Sequence, residues 1–307
     1  MKVRLAKQSD KKDVLRFCTS TFHWGDYIDE VWDIWYSDPN GKLMVVEEDN
    51  DDEYNKQPNK SSSSIIAAVS HVYLCPNRNS VWLEGLRVRP DYRHRSIATE
   101  LIKKMLEYGK EQEAKEAAAI VSVNNIASRL MMEKNGFLIS SKWDYYSVDK
   151  IQQEFDSNKV KVATLKDSER ICSYLNQSHI FKTVSAKSYA DSWRWYTLNM
   201  GSNILQNLIK NDRVLVTGNG DANIEGVAII KKDNNVLQIG YIDASNESTI
   251  KQLVRFASDL TQTEGIKRYE RLEIFTPQIP GLQSLMKNLG VGDSRQFLLY
   301  KRKIMNR

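Results

Sequence analysis

Glu84 and the basic turn that follows it are the residues of this chain best suited to chemistry. Glu84 lies in an apolar, strand-like run, where a partly buried carboxylate can serve as a general base. Four arginines come next: Arg87, Arg89, Arg93 and Arg95. Apolar residues then recur at helical spacing from Ile97, so a helix is predicted to begin directly after the turn. A helix start presents unpaired N–H groups and the positive end of the helix dipole, so this junction is predicted to hold a phosphate group.

Two stretches of the sequence resemble motifs of one protein family. Arg93-His94-Arg95-Ser96-Ile97-Ala98 resembles motif A of the GNAT superfamily of acetyl-CoA-dependent N-acetyltransferases, which reads Arg or Gln, two residues, Gly, one residue, then Gly or Ala. Ser96 stands where the family has its first Gly. Serine is tolerable there if the backbone stays right-handed, but it narrows the room for the pyrophosphate. Val123–Phe137 resembles the strand, Asn-led helix and closing Gly-Phe that follow in the family.

The resemblance implies acetyl-CoA as the cofactor and assigns residues to it. The backbone of the strand before the turn is expected to pair with the pantetheine, and the turn itself to hold the pyrophosphate. The expected cofactor-binding residues are Leu86, Arg87, Val88, Arg93, His94, Arg95, Ser96, Ile97, Ala98, Thr99, Asn125 and Ser128.

The resemblance also implies direct attack of an amine on the thioester. Glu84 is the predicted general base, and in the alternative it only pairs with an arginine such as Arg87. The family's tyrosine acid aligns with Met132, which cannot donate a proton, so Tyr145 and Tyr146 are the candidate acids.

The expected acceptor is a primary amine of a small molecule, amino acid or peptide. In the GNAT fold the first two helices usually shape the acceptor pocket, and residues 22–36 are the most aromatic stretch of the chain and also carry carboxylates. Trp24, Asp26 and Tyr27 are therefore predicted to bind the substrate through charge pairing and cation–π contact. In the alternative, the aromatic residues are core and the carboxylates form a solvated face.

An internal repeat predicts two tandem GNAT-like domains of the α/β (α+β) class, each a mixed, mostly antiparallel sheet flanked by helices. Ala163, Asp167 and Ile171 repeat the types of Ala6, Asp10 and Val14 at an offset of 157 residues, and 189–196 resembles 27–36. The predicted domains are 1–148 and 159–307, joined by a linker at 149–158, with a disordered acidic insertion at 48–63. Asp243 and Glu247 are expected at the second copy's turn, where carboxylates would repel a pyrophosphate. The second domain is therefore predicted to be a degenerate GNAT-like domain that has lost cofactor binding.

Composition limits the remaining classes. The net charge of +5 is concentrated partly at the basic turn, which favours a polyanionic cofactor over a nucleic-acid groove. No apolar run reaches membrane-spanning length and no signal peptide is evident, so a cytoplasmic protein without membrane contact is expected. Three isolated cysteines and four scattered histidines predict neither a disulfide nor a metal site. A non-catalytic acyl-CoA sensor and a scaffold that binds no cofactor stay as rival functions.

Overall fold

The computed structural model of the chain describes residues 1–19, 21, 25–48, 64–76, 78–148, 159–199, 203–219, 223–233, 235–262 and 269–304. Trp24, nearly all of the acidic insertion and the predicted linker lie outside these residues. The described residues form two compact units. We call 1–119, 127–138 and 301–307 the N-terminal unit, and 120–126 and 139–300 the C-terminal unit.

The N-terminal unit contains a sheet flanked by helices. Its elements are β1 (Lys2–Leu5), α1 (Lys11–Cys18), α2 (Ile28–Ser37), β2 (Gly41–Glu48), β3 (Ile65–Leu74), β4 (Ser80–Val88), α3 (Ile97–Glu111), the start of β5 (Glu116–Ser122) and most of α4 (Ile126–Lys134). The strands lie in the order β1–β2–β3–β4–β5. The pairs are antiparallel up to β4, and β4 pairs with β5 in parallel.

Helices cover both faces of this sheet. One core cluster joins α1 and α2 to β2 and β3, with Trp32 and Trp35 packed among aliphatic side chains. On the opposite face of β3, the Ser70 hydroxyl donates to the Met105 sulfur of α3 at 3.3 Å. Neighbouring residues of a strand point to opposite faces, so these contacts place α2 and α3 on the two sides of the sheet.

A bulge at Gly85 interrupts the pairing of β4 with β3. His71 lies opposite Glu84 and Val69 opposite Arg87, so β4 carries one extra residue between these pairs. Gly85 has φ +66°, and a Cβ atom there would lie 2.4 Å from the Trp35 ring. Glycine is therefore required both by backbone conformation and by the closeness of Trp35.

The C-terminal unit repeats the same succession of elements. They are β6 (Leu138–Val148, from residue 139), β7 (Val160–Val162), α5 (Ser168–Gln177), β8 (Ser188–Asp191), β9 (Arg194–Thr197), α6 (Ile204–Lys210), β10 (Val214–Asn219), β11 (Asn223–Lys232), β12 (Val236–Ala244), α7 (Glu247–Gln262), β13 (Arg271–Pro277), α8 (Leu282–Asn288) and β14 (Arg295–Lys303, up to residue 300). The strand order is β14–β6–β13–β12–β11–β10–β7, with β12 and β13 parallel. The predicted fold class is confirmed.

One predicted similarity between the copies is wrong. Residues 27–36 enter α2, whereas 189–196 form the β8–β9 hairpin. Ser192 and Trp193 both have positive φ, which is the geometry of a two-residue hairpin turn. The Ala190 carbonyl also approaches β12 so closely that a Cβ at Gly240 would lie 1.9 Å from it. The hairpin is therefore an addition to the second copy, in which α6 stands before β10 as α2 stands before β2.

Compact packing divides the chain differently from the repeat. Residues 139–148 lie in the C-terminal unit because β6 pairs with β13 from Val148–Leu272 to Trp143–Pro277. Residues 301–304 lie in the N-terminal unit, where the Ile304 N–H donates to the Lys115 carbonyl at 2.8 Å. The division of the repeat at 148 and 159 stays a prediction.

Candidate functional site

The basic turn lies directly in front of α3, as the sequence predicted. Residues 93–96 are exposed, while Ile97 is buried and anchors the first turn of the helix. His94 has φ 63° and Ser96 has φ 61°, so both adopt the left-handed conformation. The condition of a right-handed backbone at Ser96 is therefore not met, and the serine carries the cost of a Cβ atom at positive φ.

The arginines of the turn make few and weak contacts with the described residues around them. Arg93 donates through Nε to the Val88 carbonyl at 3.4 Å, and the Arg95 guanidinium lies 4.8 Å from the Tyr92 ring centroid. Arg89 lies 3.6 Å from Asp91, which is an exposed pair and so a weak one. Together with the first-turn N–H groups of Ile97–Thr99, these side chains form a positively charged surface suited to a pyrophosphate.

Strand β4, which leads to the turn, extends six residues past the last residue that pairs with β5. That pairing runs from Ser80–Glu116 to Trp82–Ala118, and the Gly85 bulge follows. Leu86, Arg87 and Val88 come after the bulge, which matches the position expected for residues that pair with a pantetheine chain.

Asp26 and Tyr27 form a cluster with Arg87. The Arg87 Nε donates to Asp26 Oδ2 at 2.7 Å, and its guanidinium lies 5.1 Å from the Tyr27 ring centroid. The Asp26 side chain is only 3% exposed. Burial raises the pKa of Tyr27, which keeps its hydroxyl protonated at neutral pH. The Asp26 carboxylate is thus paired inside the protein, whereas the substrate-binding prediction assumed that it faces an amine.

Glu84 pairs with a histidine, His71, on the neighbouring strand. His71 Nδ1 lies 2.9 Å from Glu84 Oε1, and the imidazole stacks on Trp35 at 4.9 Å between ring centroids. The Glu84 side chain is 16% exposed, so it is partly buried, as expected for a base. Sequence reasoning did not find His71, although a histidine within the apolar run Ile65–Leu74 is a polar outlier in a buried strand.

The two candidate acids lie in the interior of the C-terminal unit. The Tyr145 hydroxyl donates to Glu273 Oε1 at 3.2 Å, and its ring packs 4.9 Å from Phe275. Tyr146 belongs to the core cluster of this unit and is 1% exposed. Burial raises the pKa of both tyrosines, so both are protonated at neutral pH. Their role as acids stays a prediction.

The region of the second motif fits its predicted elements. Asn125 is exposed just before α4 and its N–H donates to the Ser122 carbonyl at 3.0 Å, while Ser128 is partly buried on the helix. Met132 is buried, so no proton donor occupies the position of the family's tyrosine. Gly136 has φ 74°, which fits a left-handed helix C-cap.

The turn of the second copy differs from its prediction in one residue. Asp243 is buried on β12, where it accepts hydrogen bonds from the hydroxyls of Tyr241 (2.7 Å), Tyr174 and Ser178. Glu247 is exposed and begins α7. Of the two predicted carboxylates, Glu247 therefore lies at the start of this helix. Asp243 is instead buried, where the three hydroxyl groups bind it.

A cavity of about 300 Å³ lies in the N-terminal unit beside the basic turn. It is lined by α1, by the start of β3 and by residues 89–91. Neither Asp26 nor Tyr27 belongs to its lining, so the predicted acceptor residues do not mark this cavity.

Comparison with known proteins gives the family. The model of the Acetyltransferase (GNAT) family matches residues 12–137. A GCN5-related N-acetyltransferase from Sphaerobacter thermophilus is 13% identical and superposes with a TM-score of 0.61, covering 99% of this chain and 96% of its own. A tandem GNAT protein from the clavulanic acid biosynthesis pathway is 11% identical with a TM-score of 0.52, covering 100% of this chain and 99% of its own. No curated protein matches the sequence. Residues 12–137 thus match the GNAT family, and the chain as a whole shares its fold with a tandem GNAT protein.

Two further properties concern the described residues. None of their helices is both long enough and apolar enough to cross a membrane. No group of three or more histidine, cysteine, aspartate or glutamate side chains among them is placed to hold a metal ion.

Proposed function

We propose that this protein is an N-acetyltransferase that moves the acetyl group of acetyl-CoA to a primary amine of a small molecule, amino acid or peptide. The match of residues 12–137 to the GNAT family supports acetyl transfer in general. One observation carries the finer proposal. Strand β4 contains a partly buried carboxylate, Glu84, and leads directly into the exposed basic turn before α3.

The residues of the turn fit the chemistry of the cofactor. Acetyl-CoA carries the acetyl group as a thioester and contains an anionic pyrophosphate. The N–H groups of the first turn of α3 and the Arg93 and Arg95 guanidinium groups would hold the anionic part, since amides and guanidinium groups are strong phosphate donors. The backbone of Leu86–Val88 would hold the pantetheine and present N–H groups to the acetyl carbonyl.

Glu84 would remove the proton of the acceptor amine. An alkylamine is mostly protonated at neutral pH, so a base is needed before its lone pair can attack. Attack then forms the C–N bond of the amide and breaks the C–S bond of the thioester. A free thiol has a pKa near ~8.5 and leaves tolerably as a thiolate, so an acid at the Met132 position is not required.

Glu84→Gln tests the proposal because it keeps the shape of the side chain and removes the base. CoA release on a panel of primary amines should fall roughly 10²-fold at pH 7, the usual scale for a general base, with unchanged acetyl-CoA affinity. Higher pH should restore part of the rate, because more amine is then neutral. The matched control is Glu107→Gln, which removes an exposed carboxylate that pairs with Lys104 on α3. A wild-type protein that binds acetyl-CoA but acetylates no amine would reject the proposal.

An acyl-CoA-binding sensor is the second candidate function. The observation that favours it is Met132, which is buried where the family has its acid. Binding of acetyl-CoA in calorimetry without CoA release on any amine of the panel would select the sensor over the enzyme.

A further inference from the structure

His71 is a fully buried polar residue to which the proposed function gives no role. It lies on β3 opposite Glu84, and its side chain has no exposed surface. Its Nδ1 atom is 2.9 Å from Glu84 Oε1. Its Nε2 atom has no hydrogen-bond partner and lies 4.0 Å from Asp38 Oδ2, in the connection between α2 and β2.

The surroundings of Nε2 enclose it without giving it a hydrogen-bond partner. A buried polar atom without a partner loses its hydrogen bonds to water, which is unfavourable. Gly41 makes the room for this nitrogen, because a Cβ at that position would lie 2.2 Å from Nε2. The Trp35 ring lies parallel to the imidazole and closes its face, with an interplanar angle of 5°.

The bonding partners fix how protons can be arranged. An ionised carboxylate only accepts hydrogen bonds, so Nδ1 carries the proton that is donated to Glu84. In the neutral imidazole Nε2 is then bare. A second proton, on Nε2, would make the ring an imidazolium. This cation would lie between the Glu84 and Asp38 carboxylates and against the Trp35 ring, and all three groups attract a cation.

We propose that His71 is the positioning residue of Glu84 and that protonation of its Nε2 weakens Glu84 as a base. This inference rests on the proposed function. The Nδ1–H group holds Glu84 Oε1, and Oε2 takes the proton as an N–H bond of the amine breaks and an O–H bond forms. When Nε2 is protonated, the imidazolium stabilises the ionised form of Glu84 and so opposes this transfer. Turnover therefore rises with pH as Nε2 loses its proton.

Among the residues that the structure describes, α2 and α3 contribute the other titratable groups near this arrangement. The α2 side contributes Trp35, with Tyr27 in edge contact behind it and Arg87 paired to Asp26 beyond. On α3, the Tyr108 hydroxyl donates to the Asn40 carbonyl at 3.5 Å. Burial raises the pKa of Tyr27 and of Tyr108, so these hydroxyls stay protonated between pH 5 and 9 and do not produce the expected pH dependence.

A pair of substitutions separates the proposed role from a structural one. In His71→Asn the side-chain amide can replace the Nδ1–H donor but cannot titrate, whereas His71→Leu removes the donor. We expect His71→Asn to keep turnover at pH 8 within about 3-fold and to lose the acidic limb of the kcat profile. His71→Leu should lose turnover by roughly 10–100-fold with unchanged acetyl-CoA affinity. Equal losses in the two folded variants, with the acidic limb retained in His71→Asn, would overturn the proposal.

Asp38→Asn tests the second carboxylate. The substitution removes a negative charge beside Nε2, so the imidazolium becomes less favourable and the acidic limb should move to lower pH. The side chain is 13% exposed and lies in a connection, so the fold should survive. An acidic limb that stays in place would contradict the arrangement.

Nitrogen NMR of the imidazole gives a readout that needs no turnover. At pH 8 the wild-type protein should show His71 as the Nδ1–H tautomer with a bare Nε2, which gains a proton as the pH falls. An Nε2–H tautomer in an active enzyme would overturn the role of His71 and leave the proposed function standing. A wild-type protein with the expected tautomer but no activity on any amine would instead reject the proposed function, and the catalytic role of His71 with it.

Discussion

At the scale of single residues, Ser96 holds a conformation that glycine would hold at lower cost. A left-handed backbone costs an L-residue about 1–2 kcal/mol, while glycine loses about 0.4–1 kcal/mol of extra chain entropy on folding. Ser96 makes no side-chain cap at the start of α3, so its hydroxyl contributes nothing that would be missed there. Ser96→Gly should therefore raise the free energy of unfolding by about 0.5–1 kcal/mol.

Urea denaturation measures this change, and Ser96→Ala is the matched control. Alanine also lacks the hydroxyl but keeps the strain of a Cβ atom at positive φ. If the glycine variant is no more stable than the alanine variant, the left-handed backbone at Ser96 does not strain the folded protein.

Residue types were predictable from the sequence where a motif covers them, and their partners were not. The order of the arginines before α3 placed the basic turn correctly, because that geometry is local. Arg87 and Asp26 are 61 residues apart in the chain, and Glu84 meets His71 across two strands. Such contacts depend on strand register and on the Gly85 bulge, which spacing along one segment does not specify.

At the scale of elements, the bulge of β4 is held by the fit between Gly85 and Trp35. Gly85→Ala should lower the free energy of unfolding by roughly 3 kcal/mol, from the left-handed strain of about 1–2 kcal/mol and overpacking of about 1–3 kcal/mol. Gly136→Ala has a similar φ, and its nearest neighbour is an ordinary 3.7 Å contact with Arg302, so about 1–2 kcal/mol is expected there. Equal losses in denaturation curves would show that Trp35 yields without cost.

The 3-10 turn Leu165–Asp167 before α5 is held by a buried carboxylate. Asp167 accepts hydrogen bonds from the Thr164 N–H at 2.8 Å and from Lys161 Nζ at 3.1 Å. Burial opposes its ionisation, but the Thr164 and Lys161 donors outweigh burial and lower the pKa of Asp167 to about 2. A lowered pKa adds stability above the ordinary value near 3.8, and this stability is lost as pH falls towards 2.

Asp167→Asn should therefore destabilise the protein by about 1–2 kcal/mol at pH 7, the scale of a lost helix cap. The difference from wild type should shrink at pH 3, because the carboxylate of the unfolded chain binds a proton below about 3.8 while the folded one stays ionised down to about 2. Urea titrations at the two pH values decide this, and a difference that does not change with pH would contradict the assigned pKa.

The existence and type of most elements were predictable because their apolar periodicity is strong. The offset of 157 residues also matched the two copies locally, since Asp10 and Asp167 occupy equivalent places before α1 and α5 and each accepts a backbone N–H, from Lys7 at 2.7 Å and from Thr164. The β8–β9 hairpin was missed because Tyr, Trp and Ala support either a helix or a strand, and packing on β12 decides between them.

For the whole molecule, we predict one acetyl-CoA site per chain. Only the N-terminal copy of the turn combines a helix start with clustered arginines, whereas the turn before α7 has the exposed Glu247. Titration calorimetry should give a stoichiometry of one, and Ser96→Glu should abolish binding through repulsion of the pyrophosphate while the protein stays folded. Two sites per chain, or undiminished affinity in the folded Ser96→Glu variant, would place cofactor binding elsewhere.

The two-copy architecture was predictable because the order of elements repeats, but the make-up of the compact units was not. Residues 139–148 and 301–304 are assigned by pairing between strands that lie far apart in the chain. Local patterns predict that a segment is a strand, and they do not predict which sheet it enters.

The use of residues 301–304 by the N-terminal unit has a consequence for protein synthesis. Lys301 pairs with Glu116 at 3.2 Å, and Ile304 packs within 2.7 Å of the place where a Cβ of Gly109 would lie. A ribosome makes the chain in order at about 5–20 residues per second, so residues 1–138 emerge some tens of seconds at most before their final neighbours exist. The N-terminal unit is thus completed only when the last residues have been made. During translation the surface around Gly109 and Glu116 lacks its final contacts, and a nascent-chain chaperone can bind it.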